Sequence, residues 1–199
     1  MEALLISADE IKKFLPNYSP EKAEAFHSQS AKQADKEFEA ALRENRYKTV
    51  ILMSGGSASG KTEFLASHLM KGRSIIFDTT LSTPEGPKNK IRKILKANKT
   101  PVIYSVVPDD LTRAFIAFLH RDRKFSDAHF YRTHSGSRKT LLWIAENYPQ
   151  VNIYLIKSSY SRNRKLRFTR LQFNSQRELI THLQDIQMSE ADIINAIEI

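Results

Sequence analysis

Gly55-Gly56-Ser57-Ala58-Ser59-Gly60-Lys61-Thr62 is the stretch that decides the fold, and it fits the spacing G-x-x-x-x-G-K-[ST] of a phosphate-binding P-loop. Residues 49–54 before it form an apolar, β-branched run that predicts a buried strand, and residues 63–71 after it predict a helix. The motif requires this context, because its glycines let successive N–H groups turn towards a polyphosphate at a helix N-terminus. We therefore predict that residues 55–62 bind ATP or GTP, that Lys61 reaches the β- and γ-phosphates, and that the Thr62 hydroxyl ligates Mg²⁺. A glycine- and serine-rich turn that matches by chance is the alternative.

The composition narrows the class of protein. The chain has 199 residues, of which 41% are hydrophobic and 27% charged, as is usual for one globular domain. No apolar run reaches membrane-spanning length and the N-terminus lacks a signal-peptide pattern, so we expect a cytoplasmic protein without a membrane span. The absence of cysteine excludes disulfides, thiol catalysis and thiolate metal sites. The net charge of +9 favours anionic partners, namely nucleotides, nucleic acid, an acidic protein or a membrane surface.

Strand and helix patterns alternate after the glycine-rich stretch, which predicts an α/β fold with a largely parallel sheet flanked by helices. We predict an N-terminal helical extension, residues 1–48, packed on a P-loop kinase domain, residues 49–199, within one compact unit. A capping box at residues 7–10 predicts a short helix, and Pro20 opens a longer helix to about residue 45. Predicted strands cover residues 74–77, 102–107 and 151–156; predicted helices cover residues 85–97, 111–119, 138–147 and 175–187, with a last helix from residue 189. Residues 166–173 predict a further strand, hairpin-paired with 151–156, and residues 135–137 predict a break between helices.

Asp78 is the candidate catalytic base. It ends a predicted strand, and ligands of open α/β sheets lie beyond the carboxyl ends of strands. There it could accept the proton of an attacking hydroxyl, although an aspartate that caps a turn or helix is the alternative. Asp109 and Asp110 also follow a strand, but the better interpretation is an N-terminal cap for the next helix, with a metal role for Asp109 as the minority alternative.

The basic residues cluster in two segments, 113–138 and 157–170. Guanidinium groups suit the spread negative charge of a phosphoryl group in transfer, so the first segment predicts a cationic lid. Its arginines are Arg113, Arg121, Arg123, Arg132 and Arg138. His129 and His134 in the same segment lack a zinc-site spacing, which favours surface histidines or histidines behind the site.

These residues together resemble the zeta-toxin group of P-loop kinases. The similar block runs from about residue 47 to residue 156, which is somewhat more than half of the chain. The matching pieces within it are residues 55–62, the strand end Phe77-Asp78-Thr79-Thr80 and the segment 113–138. The resemblance implies transfer of phosphate from a nucleoside triphosphate, with Mg²⁺, to a hydroxyl of UDP-N-acetylglucosamine, and an antitoxin protein as partner. Members of the group carry an extra strand after the P-loop helix that ends in the catalytic aspartate, and this chain lacks it between residues 72 and 74.

The residues themselves predict further roles. Lys61 of the P-loop and the bend residues Arg121 and Arg123 are the catalytic candidates, and Arg113, in the preceding helix, is a candidate for ATP binding. Because the extra strand is missing, Asp78 is either the base or a ligand of the acceptor. The acceptor-binding candidates are Asp78, Thr79, Thr80, Arg132 and Arg138.

Two further functions stay open. A polynucleotide-directed kinase or nucleic-acid-binding NTPase is supported by residues 157–173, where basic residues alternate with Tyr160, Phe168 and Phe173. A nucleotide-dependent interaction module without catalysis is the third alternative.

Overall fold

The computed structural model describes residues 2–160 and 165–197. A six-stranded sheet of order β1-β3-β2-β4-β5-β6 forms its centre. The strands are β1 (Leu4–Ser7), β2 (Thr49–Ser54), β3 (Ser74–Asp78), β4 (Thr100–Pro108), β5 (Asn152–Tyr160) and β6 (Leu166–Arg170). The first five strands of that order are parallel, and β6 pairs antiparallel to β5. The predicted α/β class with a largely parallel sheet is confirmed.

Helices cover both faces of the sheet. They are α1 (Ala8–Lys12), α2 (His27–Leu42), α3 (Lys61–Phe64), α4 (Glu85–Lys96), α5 (Leu111–Leu119), α6 (Asp127–Asn147), α7 (Gln176–Asp185) and α8 (Glu190–Ile197). Helix α3 continues as one π-helical segment, Leu65–Leu69. Within the described residues, no helix has both the length and the apolar composition to cross a membrane.

Alternation along β2 divides the core into two layers. Val50 and Leu52 pack with helices α2, α4, α6 and α7 in the larger layer. Ile51 and Met53 point to the other face and pack with α3 and its π-helical continuation. Since β2 is buried on both faces, it holds the loop that follows it at a fixed place in the centre of the sheet.

The N-terminal segment differs most from expectation. We expected only helices before residue 48, but Leu4–Ser7 forms the edge strand β1, in register with β3. Ser7 is the N-cap residue of α1 without a capping hydrogen bond, because its hydroxyl donates to Asp78 Oδ2 at 3.2 Å. The predicted long helix also begins later, at His27, after a 3₁₀ turn at Pro20–Lys22.

The predicted break at residues 135–137 is wrong, since α6 runs through it without interruption. Gly136 has a packing role instead. A Cβ atom there would lie 2.1 Å from the carbonyl oxygen of Ser82, so the glycine allows α6 to touch the loop after β3. This contact brings α6 against the carboxyl end of the sheet, where the candidate site lies.

Candidate active site

A cleft of about 380 Å³ lies beyond the carboxyl ends of β2 and β3. The glycine-rich loop (residues 55–62) forms one wall, and the end of β3 with the loop after it forms another. The basic bend (residues 121–126) and helices α2, α4 and α6 also line the cleft. Of the predicted site residues, the cleft is lined by Ser57, Ser59, Lys61, Thr62, Asp78, Thr79, Thr80, Arg121, Arg123 and Arg132.

Glycine-specific backbone geometry shapes the glycine-rich loop. Gly55 has φ of 127°, and a Cβ there would lie 2.2 Å from the Val106 carbonyl oxygen. Gly60 has φ of 91° and is the N-cap residue of α3. Lys61 folds back over the loop, and its Nζ donates to the carbonyl oxygens of Gly55 and Gly56 at 2.8 Å each. Burial lowers the pKa of Lys61 to about 8, so its charge is held in a poorly hydrated position that an anion would stabilise.

Two neighbouring residues of α6 fix the loop from behind. Thr133 Oγ1 accepts from the Ser57 N–H at 3.1 Å, and His134 Nε2 lies 2.8 Å from the Ser57 carbonyl oxygen. Burial lowers the pKa of His134 to about 3, so the ring is neutral at physiological pH. A neutral ring that donates from Nε2 accepts at Nδ1, where Arg138 Nη1 approaches to 3.5 Å. The backbone N–H and carbonyl oxygen of Ser57 are therefore both held by α6.

Gly56 supplies a stability test of this contact. A Cβ on Gly56 would lie 2.2 Å from the His134 ring, which its own hydrogen bonds hold in place. We expect Gly56→Ala to lower the free energy of unfolding by roughly 1–3 kcal/mol. Gly86→Ala is the matched control, since a Cβ there meets nothing within 4 Å, and it is expected to be neutral or stabilising by up to about 1 kcal/mol. Chemical denaturation of both variants measures the difference, and equal stabilities would contradict the contact.

His134 also makes stability depend on pH. Its pKa falls from 6.5 to about 3 on folding, so between these values the unfolded chain binds a proton that the folded chain does not. The free energy of unfolding should therefore fall as pH drops from 6.5 towards 3, with His129, lowered to about 4 by burial, adding to the loss. We expect His134→Gln to flatten this slope. Denaturation curves at a series of pH values measure the slope for the wild type and for the variant.

Two aspartates enter the cleft from adjacent strand ends. Asp78 ends β3, and burial raises its pKa while the nearby Lys61 lowers it. Asp9 follows β1, with Oδ1 3.0 Å from Lys12 Nζ and Oδ2 paired with Arg123 Nη1. Burial alone would raise the pKa of Asp9, but Arg123 and Lys12 together hold it at about 2. Sequence reasoning missed Asp9 because the strand that positions it has only four residues.

The predicted arginines separate into two groups. Arg121, Arg123 and Arg132 line the cleft, and burial lowers the pKa of Arg121. Arg113 lies outside the lining, with its Nε 3.2 Å from Asp110 and an Nη1 contact of 3.5 Å to the Tyr160 carbonyl oxygen. Arg138 is 6% exposed, lies behind the glycine-rich loop and donates to the His134 carbonyl oxygen at 2.9 Å.

The threonines of the strand-end segment lie where expected, on the cleft wall. The Thr80 carbonyl oxygen accepts from the Gly55 N–H at 3.2 Å, which ties the two walls together. Thr79 Oγ1 accepts from the Leu81 N–H at 3.3 Å, and Leu81 has φ of 48° in the left-handed region. The structure therefore brings Thr79, Thr80 and Asp78 to one side of the cleft.

Asp110 caps a helix as expected. Its side chain accepts from the Arg113 N–H at 2.9 Å at the start of α5, which confirms the interpretation of this residue as an N-terminal cap. No group of three or more histidine and acidic side chains that could hold a metal ion occurs in the described part of the chain.

The two phenylalanines of residues 157–173 pack against other rings of the protein. Phe168 packs on Phe64 with ring centroids 5.3 Å apart, and Phe173 packs on His182 at 5.2 Å. Residues 161–164, which carry part of the predicted basic cluster, lie outside the described residues. No described contact favours the nucleic-acid alternative.

Comparisons with known proteins bear on the fold alone. No protein-family model and no curated protein matches this chain. A crystal structure of AvrRxo1-ORF1:-ORF2 with ATP superposes with a TM-score of 0.55 at 11% identity, over 87% of this chain and 74% of that chain. The native AvrRxo1-ORF1:-ORF2 complex superposes with a TM-score of 0.50 at 12% identity, over 92% of this chain and 85% of that chain. The zeta-toxin resemblance stays a prediction.

Proposed function

We propose that this chain is an ATP-dependent phosphotransferase whose P-loop is residues 55–62. The observation that carries the proposal is the meeting, in one cleft, of Lys61 on the glycine-rich loop, Asp78 on the next strand end and two arginines of the basic bend. Phosphoryl transfer requires positioned cations around the phosphate and a group that orients the nucleophile, and these residues supply both. A solved structure of similar fold was crystallised with ATP, which supports a nucleotide in this cleft.

The residues present fit a magnesium nucleotide. The buried Ser59 hydroxyl has no hydrogen-bond partner within the described residues and lines the cleft, and the Thr62 hydroxyl lies on the same wall. Thr62 would hold Mg²⁺ and Lys61 would contact the β- and γ-phosphates. When bound, the metal neutralises charge on the phosphate oxygens.

The proposed reaction joins the γ-phosphoryl group to a hydroxyl of a small molecule. Asp78 accepts the hydroxyl proton while the new P–O bond forms, and the bond between the γ-phosphorus and the bridging oxygen breaks to release ADP. Arg121 and Arg123 neutralise charge on the transferring group. We propose Thr79, Thr80 and Arg132 as acceptor contacts, with a UDP-N-acetyl amino sugar as the first acceptor to test.

A protein partner is part of the proposal. The solved structures of similar fold are complexes of two proteins, which supports an antitoxin-like partner for this chain. Co-expression with the product of a neighbouring reading frame, followed by co-purification, tests this.

The deciding experiment combines the purified protein with γ-labelled ATP, Mg²⁺ and a metabolite extract. Transfer of label to a small molecule by the wild type, but not by Lys61→Ala, is expected. Label that stays in ATP or appears only as inorganic phosphate would overturn the phosphotransferase assignment. UDP-N-acetylglucosamine alone, tested in parallel, decides whether it is the acceptor.

A further inference from the structure

We propose that Asp9 is a positioning residue that holds Arg123 at the cleft, which makes the N-terminal segment (residues 4–12) part of the active site. The proposal rests on the proposed function in that it takes Arg123 to act on the phosphate. It assigns a role to a residue that precedes the glycine-rich loop by more than forty positions.

The edge strand delivers Asp9 to the site. Strand β1 pairs with β3 so that Ser7 lies opposite Asp78, and the Ser7 hydroxyl donates to the Asp78 carboxylate. The chain then leaves the sheet beside Asp78, and Asp9 lines the same cleft as Lys61. The parallel pairing thus fixes Asp9 relative to the predicted catalytic aspartate.

Both carboxylate oxygens of Asp9 are engaged by cations. Oδ2 pairs with Arg123 Nη1, and Oδ1 accepts from Lys12 Nζ at 3.0 Å. Lys12 is completely buried, lies 3.5 Å from His27 Nδ1 and has its Nζ 5.0 Å from the centre of the Phe125 ring. An adjacent anion stabilises a buried lysine, so moving Asp9 away would leave the charge of Lys12 buried and unpaired.

Further contacts anchor the basic bend to the N-terminal part of the chain. The Lys124 N–H donates to the Pro20 carbonyl oxygen at 3.1 Å, and the Ser126 N–H donates to Glu24 Oε2 at 3.3 Å. The basic bend is therefore anchored to the N-terminal part of the chain at several points. Among these contacts, the ion pair between Asp9 and Arg123 is the one that holds an arginine side chain facing the cleft.

The two aspartates differ in what they can do. Two cations keep Asp9 ionised far below neutral pH, which makes it a poor proton acceptor, whereas burial raises the pKa of Asp78 and makes that carboxylate the better proton acceptor. Asp9 therefore acts through Arg123 by fixing the position of the guanidinium group. Asp78 is the residue that accepts the proton of the attacking hydroxyl.

A double-mutant cycle tests this role. Asp9→Asn is expected to slow transfer about tenfold or more while ATP affinity stays nearly unchanged, because misplacing a catalytic cation affects the reaction more than binding. In an Arg123→Ala background the same change should cause no further loss of transfer. Glu10→Gln, which breaks the exposed pair of this α1 residue with Lys13, is the matched control and should transfer at the wild-type rate. Equal losses from Asp9→Asn in both backgrounds would show a merely structural role and overturn the proposal.

Removal of Asp9 leaves Lys12 charged and buried, so a second variant guards against misfolding. Asp9→Asn combined with Lys12→Met removes both charges of this pair and still deprives Arg123 of its carboxylate. It should fold and show the same loss of transfer; wild-type transfer would overturn the proposal.

Amide hydrogen exchange separates failure of this proposal from failure of the proposed function. Asp9→Asn should speed exchange in residues 121–126 and leave α8 unchanged, whether or not the protein transfers phosphate. Unchanged exchange in the basic bend would overturn the positioning role even in an active enzyme. An inactive wild type whose bend responds to Asp9→Asn would overturn the phosphotransferase assignment instead, and with it the catalytic part of the role.

Discussion

Lys61→Ala is expected to reduce phosphoryl transfer by about 10²-fold or more, because positioned positive charge dominates this reaction. Lys61 lies over the glycine-rich loop with its Nζ on two loop carbonyl oxygens. Burial lowers the pKa of Lys61 to about 8, which means that its charge is poorly stabilised by the two carbonyl oxygens alone. We therefore expect a phosphate to replace them as the partner of the ammonium. No other lysine on the described cleft wall belongs to this loop. Single-turnover kinetics with labelled ATP measure the loss.

A stability measurement and a control variant distinguish this loss of transfer from a loss caused by unfolding. Because burial disfavours the charge of Lys61, its removal should leave the free energy of unfolding unchanged or slightly higher. Lys36→Ala, on the exposed side of α2, is the matched control and should transfer at the wild-type rate. Undiminished ATP turnover in a folded Lys61→Ala protein would contradict the phosphotransferase assignment.

The parts of the fold that local sequence specifies could be predicted. Residues 49–62 carry the apolar run and the glycine spacing within one short stretch, so strand and loop follow from neighbours in sequence. Asp110 likewise caps a helix that begins at the next residue. Helix α4 was also predicted closely, because its charged and apolar positions repeat at helical spacing over twelve residues.

The parts set by distant contacts could not be predicted. Strand β1 has four residues, and its partner β3 lies about seventy residues later, so no local pattern distinguishes it from a helix start. His134 approaches the glycine-rich loop from 77 residues away. Arg132 and Arg138 are alike in sequence, but six residues along a helix point them to different sides, one to the cleft and one behind the loop.

The N-terminal strand occupies one edge of the sheet. The chain has no strand between residue 72 and β3, yet the position beside β3 is filled, because β1 pairs there in parallel. The sheet edge thus supplies a carboxylate to the cleft from Asp9 rather than from residues after the glycine-rich loop. Asp78, which is partly buried at the end of β3, has no ion-pair partner among the described residues.

Asp78→Asn is expected to abolish transfer to the acceptor while ATP affinity stays within a few fold of the wild type. The amide is nearly isosteric and can still accept from the Ser7 hydroxyl, so the cleft should keep its shape. It cannot accept the proton of an attacking hydroxyl. Wild-type transfer should rise with pH through the raised pKa of Asp78, because the ionised carboxylate is the active form.

Stability distinguishes this role from a capping role. Asp78 caps no helix, since α4 begins only at Glu85 after the N-cap Pro84. A capping aspartate would cost about 1 kcal/mol on removal. Asp78 is expected to act in the opposite direction, because a carboxylate whose pKa rises on folding lowers the free energy of unfolding as pH climbs through that raised value. Asp78→Asn should therefore be as stable as the wild type at neutral pH, or more stable.

Asp109→Asn, at the exposed end of β4, is the matched control for both activity and stability. A destabilised Asp78→Asn protein that transfers phosphate at the wild-type rate would remove Asp78 from the mechanism and leave the nucleotide site of the glycine-rich loop standing alone.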